Sequence, residues 1–237
     1  MSRNPFSTGQ TEGPGPASAH VPASARVYEA LRGRIVALEL PPGSALGRAE
    51  IAQSFNVSQS PVREAILRLE QDGLVLSYPQ SRTLVTRIDR DRLREEHFLR
   101  TAVEADVARA LALQSDPGTA VKLRGMLKMQ EALAGEVEQI DLFKQLDEAF
   151  HEALFAGVNQ LNLHRHVTAR CGHLARVRSL DLPRKGKMRA VLDGHRAVVE
   201  AIAAGDAAAA SGAMRLHLSG TIERLPEIVR ENGAFFT

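Results

Sequence analysis

The chain has 237 residues, 44% of them hydrophobic, and a formal net charge of +2; this supports one large core or two modest ones, and two is the reading adopted. So small a charge excludes an argument for nucleic-acid binding from electrostatics alone, so any such argument rests on pattern. No apolar stretch approaches the ~20 residues of a membrane span and no export signal opens the chain, so a soluble, cytoplasmic protein is expected.

The segment from Met1 to roughly His20 is rich in Gly, Pro, Ser and Thr and is read as a disordered tail, unable to bury enough surface to offset its ordering entropy. From Ser24, taken as an N-cap, Val27, Leu31, Ile35 and Leu38 recur at helical spacing until LELPPGSAL stops the helix. A short helix from about Arg48 to Phe55, a turn at Asn56 and Val57, and a helix capped by Ser60 with Pro61 at its first position follow. Val62, Ala65, Ile66 and Leu69 form the inner face of that second helix, and Gly73 suits its left-handed end. Leu74 to Ser77 and Thr83 to Thr86, joined by YPQSR, read as a hairpin or wing. Residues 21–88 are therefore predicted to form a winged helix-turn-helix.

Arg63 lies ~100° round its helix from the inward-facing Val62 and is free to reach DNA. Ser58, Gln59 and Ser60, near the positive end of the same helix, can bond phosphates or base edges. The first 90 residues contain ten Arg and no Lys; the planar fork of Arg suits phosphate and guanine, and a bias of composition accounts for the count equally well.

After Asp89 six helical patterns are separated by turn signals at SDPG, Gly135, GVNQ, DLPRKG and Gly205-Asp206. They predict an all-α antiparallel bundle over 89–230 and a C-terminal tail over 231–237, which makes the protein mainly α. The lone Cys171 excludes an internal disulfide or a zinc ribbon and is expected to be buried.

Ionisable groups interrupt the bundle's apolar stripes. From about Asp141 to Phe155 the stripe is Phe143, Leu146, Phe150 and Leu154, with Asp147 within it and His151 one turn later. His195 sits among Met188, Val191, Leu192, Val199 and Ile202, and His217 beside Met214, Leu218 and Thr221. Counted out from the Gly205-Asp206 turn at ~1.5 Å per residue, His195 and His217 fall roughly 16 and 17 Å away, in one layer if their helices pack antiparallel. One carboxylate and three imidazoles suit a divalent Zn, Ni or Mn ion, with open positions for water or a carboxylate effector. His164, His166 and His173 are read as surface residues or outer supports.

PPGSAL at 41–46 and IAQSFNVSQSPVREAILRLEQDGLV at 51–75 resemble the characteristic run of GntR-type regulators. The resemblance implies that Arg63 and its neighbours enter the major groove, with the wing tip near the minor groove, in a symmetric homodimer on palindromic operator DNA. Gln59 stands where the pattern has Arg, Arg48 and Ala49 where it has Glu-Arg, and Arg82 where the wing has Gly. A different operator sequence is therefore expected, with Arg82 supplying a phosphate or minor-groove contact.

The segment 89–230 is similar to the FCD domain of the FadR-like branch, in its short six-helix form, through LRTAVEADVARALA, HRAVVEAIAAGDAAAA and MRLHL. That resemblance places a metal on Asp147, His151, His195 and His217. Arg100, four residues before Glu104, and Arg178, on a stripe with Leu163, Val167 and Leu174, are the candidates for an effector carboxylate; a structural Arg-Glu pair is the other reading of both. The sequence thus points to a transcription regulator, repressor or activator, controlled by a small organic acid near a metal. A metal-sensing regulator and a metal-dependent hydrolase are the rivals; the second leaves the helix-turn-helix unexplained.

Overall fold

The computed structural model describes residues 21–78, 82–114 and 116–237. The N-terminal tail read from the sequence, the centre of the wing and the Ser of SDPG lie outside the described residues.

The N-terminal head is α1 (Ala23–Val36), β1 (Ala45–Leu46), α2 (Arg48–Ser54), α3 (Gln59–Gln71), β2 (Val75–Ser77) and β3 (Thr83–Val85). Val27, Tyr28, Leu31 and Ile35 of α1 bury the inner stripe of α3, Val62, Ala65, Ile66 and Leu69, with Leu46, Leu74 and Val85 closing the core. The hairpin is antiparallel, pairing Val75 with Val85 and Ser77 with Thr83. A third strand joins it that the sequence reading did not contain: Ala45 and Leu46 pair with Leu84 and Thr83. Two residues after the PPG turn give too little alternation to register as a strand.

Two helix starts differ from expectation. α1 begins at Ala23 behind Pro22, whose φ of −53° and ψ of 141° already break the chain, so Ser24 lies inside the first turn. α3 begins at Gln59 with Ser58, at ψ 172°, in the cap position, so Ser60 is helical. Pro61 misled because any of the first turn's N–H groups can be dispensed with. Gly73 does end α3 in the left-handed region, at φ 74°.

The body consists of α4 (Arg90–Gln114), α5 (Pro117–Glu131), α6 (Ile140–Gly157), α7 (Leu161–Arg170), α8 (Gly172–Asp181), α9 (Lys187–Ala203), α10 (Ala207–Glu223) and α11 (Leu225–Glu231). These are eight helices where six patterns were read, because a break at Cys171 divides α7 from α8 and Arg224 divides α10 from α11. The first break is followed directly by Gly172 and the second by Leu225 and Pro226, with Pro226 tolerated in the first turn of α11. Asp116 caps α5 by accepting from the Gly118 and Thr119 N–H groups at 3.1 and 2.9 Å, and Asp206 caps α10 through the Ala209 N–H at 2.9 Å. The long α4 lies against α10, which pairs with α9, around a core that includes Leu111, Phe150, Phe155, Val198, Ile202 and Met214.

The segment set apart as a C-terminal tail is packed. Phe236 is buried and forms a parallel bridge with Ile88, so the chain end holds the link between head and body. Other contacts reinforce that junction: Arg32 of α1 donates to the Thr168 carbonyl at 2.5 Å, Arg176 of α8 to the Thr86 carbonyl at 2.6 Å, and Leu74 packs on Gly172. No helix among the described residues is long and apolar enough to cross a membrane.

Candidate DNA-reading face and candidate metal centre

The head presents Arg48 at the start of α2, Ser58 and Gln59 at the start of α3, and Ser60 and Arg63 in its first turns, all exposed, opposite the buried stripe. Arg82 is exposed beside β3, with its guanidinium 5.8 Å from the centroid of the Tyr78 ring. Among the described residues Arg48, Arg63 and Arg82 make no ion pair. An unpaired Arg at a helix start is chemically able to donate to phosphate and base edges.

In the body, three helices bring four donors to one point. Asp147 and His151 come from consecutive turns of α6, His195 from the middle of α9 and His217 from α10. One ligand atom from each lies within 4.8 Å of the others. The His195 and His217 rings are 4.5 Å apart, and His151 lies 5.3 and 5.4 Å from them. The antiparallel packing expected of α9 and α10 thus puts both rings in one layer. Gly194 permits this closeness: a side-chain carbon there would fall 2.6 Å from Nδ1 of His217.

A hydrogen bond to one ring and a close carboxylate contact to another lie on their far sides. Nδ1 of His195 lies 2.9 Å from Oε1 of Gln130, which can only accept, so the proton sits on Nδ1 and Nε2 keeps its lone pair. Nδ1 of His151 stands 2.6 Å from Oε2 of Glu104, whose other oxygen accepts from Nε of Arg100 at 2.5 Å. Nε2 of both rings is buried without a hydrogen-bond partner, the state of an imidazole prepared for a cation. Burial and the neighbouring cations push His195 and His217 well below the ordinary imidazole value, so both are neutral. Burial tends to raise the Asp147 carboxyl, yet Arg178 foremost, with Arg100, holds it below its ordinary value. One carboxylate with three imidazoles is a donor set that fits Zn²⁺, Ni²⁺ or Mn²⁺.

The cage opens on a cavity of about 150 Å³ lined by Asp147 and His217 at one end, and by Arg100, Arg178, Lys144 and Lys187. Arg178 is ion-paired with Asp147, a link absent from the sequence reading. Arg100 is buried in its ion pair with Glu104, the structural reading offered for it, and it also lines the cavity. Val36, at the end of α1, also lines the cavity, so the head forms part of its wall.

Two histidines read as peripheral are buried. His173, 1% exposed, accepts the Asp89 N–H on Nδ1 at 3.0 Å and is pushed down to about 3 by burial and by Arg176 and Arg92. His164 is buried against Phe155 and lies 3.4 Å from Glu148. Both face the short helices around the unexpected break at Cys171, which is why a single-helix periodicity misplaced them. His166 is exposed, and Cys171 is buried as expected. Gln130, Lys144 and Lys187 went unremarked in the sequence. Only Gln130 carried a signal, a polar residue continuing the stripe of Ala120, Leu123 and Leu127.

Residues 95–220 match the FCD domain, and residues 23–85 match bacterial regulatory proteins of the gntR family. The chain is 37% identical over 202 residues to an HTH-type transcriptional regulator in an unstable DNA locus of Streptomyces ambofaciens, covering 85% of this chain and 84% of that one. It is 30% identical over 216 residues to the HTH-type transcriptional repressor RspR of Escherichia coli, covering 91% and 94%. Escherichia coli McbR/YncC has the same fold, with a TM-score of 0.70 at 20% identity over 87% of this chain and 98% of that one.

Proposed function

This chain belongs to the gntR family of bacterial regulatory proteins, with an FCD domain as its body and DNA binding as its activity, and we propose that a small organic acid bound beside a divalent metal sets its affinity for operator DNA. The observation that carries this is the four-donor cage of Asp147, His151, His195 and His217 opening on a cavity with four cationic side chains. The protein works as a homodimer in the cytoplasm, each recognition helix reading one half of a palindromic operator.

In the head, Arg63 donates to base edges, while Ser58, Gln59, Ser60 and Arg48 bond phosphates or bases beside it, and Arg82 reaches a phosphate or the minor groove. In the body, Asp147, His151, His195 and His217 would hold the ion. A Zn, Ni or Mn ion there would supply a Lewis-acidic anchor for an effector carboxylate. Arg178 and Arg100 add guanidinium donors to the same group.

Coupling follows from α8. Arg178 faces the cavity and Arg176 holds the head through the Thr86 carbonyl. An acid that re-pairs Arg178 favours one setting of α8, and with it one spacing of the two heads, provided its affinity for the two settings differs. Purified protein analysed for metal, then titrated with operator duplex in the presence of small carboxylic acids with and without chelator, tests the proposal. Acid-dependent operator affinity that disappears with the metal supports it. Operator binding governed by metal alone identifies a metal sensor instead.

A further inference from the structure

The cavity has a second cationic end. Lys187, the first residue of α9, lines it with a side chain only 9% exposed, and its ammonium lies 3.0 Å from Oδ2 of Asp181. Asp181 is fully buried and already satisfied: Arg224 grips both its oxygens at 2.9 and 2.8 Å, and the Thr221 hydroxyl donates at 2.9 Å. One carboxylate therefore faces two full cations. Its geometry is used up by the guanidinium fork, and the ammonium has three donors, of which Asp181 engages one. A buried cation in excess of its partners is costly until an anion joins it. Lys144 adds a further positive charge to the same wall, with its carboxylate partner Asp141 out in solvent, 84% exposed.

The placement of this second pole is set by α10. The ammonium lies 3.5 Å from where a side-chain carbon on Gly220 would stand, beside Thr221. Thr221 follows His217 by four residues, ~6 Å along the axis. The same wall also carries the aliphatic side chains Val191, Leu182 and Leu218. The acids on the wall are themselves engaged, Asp147 by Arg178 and Glu148 by His164.

We infer that the ligand of this cavity is a short aliphatic dicarboxylate, one carboxylate at the Asp147–His217 end and the other on Lys187 and Thr221, with a few methylenes against Val191 and Leu182. The volume of about 150 Å³ is of the size that encloses a six-carbon ring, which limits the spacer to a few carbons. The inference rests on the proposed function, whose acid site supplies the first pole, and goes beyond it in assigning the second.

Calorimetric titration of the metal-loaded full chain with succinate, glutarate and butyrate tests it, on the wild type, Lys187→Gln and Lys187→Arg. At least one diacid is expected to bind the wild type about tenfold or more tightly than butyrate, a ratio typical of one charge-assisted pair. Lys187→Gln should abolish that ratio while leaving butyrate affinity and bound metal within about twofold, and Lys187→Arg should retain it. Butyrate binding with no diacid preference in the wild type, or a preference that survives in Lys187→Gln, overturns the inference and leaves the acid site standing. Failure of all three acids to bind overturns both.

Discussion

Arg176 and Arg178 lie two residues apart on α8 and serve opposite sides of it: Arg176 donates to the Thr86 carbonyl of the head at 2.6 Å, and Arg178 pairs with Asp147 in the cage. Two residues is ~200° of helical rotation, so α8, a helix of 10 residues, touches the cavity on one side and the DNA-binding head on the other. The same helix presents Gly172 to Leu74 of the head, His173 to the Asp89 N–H where head and body join, and Leu174 and Ala175 to the cavity. A displacement of α8 cannot remain private to either domain.

That intimacy predicts a steric effect at Gly172. A side-chain carbon there would lie 2.7 Å from Cδ2 of Leu74, which is fully buried and has nowhere to withdraw. Gly172→Ala should destabilise the protein by about 1–3 kcal/mol, the usual cost of overpacking. Urea unfolding of the full chain measures it, and an unchanged midpoint and slope would show that head and body do not meet there.

The junction should also respond to pH. Burial pushes the Glu96 carboxyl up to about 7, against the lowering pull of the Leu174 and His173 N–H groups and of Arg176. Between 4.5 and 7 the folded state then keeps a proton that the unfolded chain has lost, so this group favours folding on the acid side and its contribution falls as pH rises, by up to about 1.4 kcal/mol per unit. His173, pushed down to about 3 mainly by burial, acts in the opposite sense below its ordinary 6.5. The two oppose each other in mildly acid solution, and the Glu96 effect is uncompensated from about 6.5, the ordinary His value, until it fades above 7. From pH 6 to 8 the wild type should lose about 1 kcal/mol relative to Glu96→Gln. Parallel stability profiles of the two proteins in urea would contradict the assignment.

The supports of the cage should matter nearly as much as its ligands. Gln130 fixes the tautomer of His195, and Glu104 that of His151. Glu104→Gln and Gln130→Ala should each weaken metal affinity by about 10–100-fold, the range found for such outer partners. The same substitutions leave the DNA-reading face untouched. Competition with a chromophoric chelator reads the affinity, and wild-type values in both variants would show that the rings are not prepared for an ion.

Arg63→Ala should weaken specific binding by about 1–3 kcal/mol per half-site, as expected for a lost bidentate base contact. The test is a gel-shift titration at fixed salt, on duplex selected from random sequence by the wild-type protein. An equal loss on unselected DNA would mark Arg63 as a phosphate contact only, and no loss would remove it from the interface.

Much of this was legible in the residues, for definite reasons. The α3 stripe and Gly73 announced a recognition helix because an exposed helix on a small head must alternate faces at 3.6 residues. Asp147, His151, His195 and His217 stood out because ionisable groups interrupted long apolar stripes, and the Gly205-Asp206 turn fixed the register of two of them. What was hidden depended on contacts between distant segments. Lys187 looks like an ordinary helix start until Asp181 and Arg224 are seen around it, and the Arg178–Asp147 pair joins residues on separate helices. His173 and Arg176 were unreadable as junction residues because their role depends on where the head rests, and no local period records that.

The most direct test of the account is the operator affinity of the metal-loaded chain, measured by fluorescence anisotropy with and without a saturating acid taken from a thermal-shift screen, for the wild type and for Arg178→Met. The account predicts a shift of about tenfold or more in the wild type, within the usual range of coupling energies, and almost none in the variant. An operator affinity that stays the same in the wild type when the cavity is filled would contradict it.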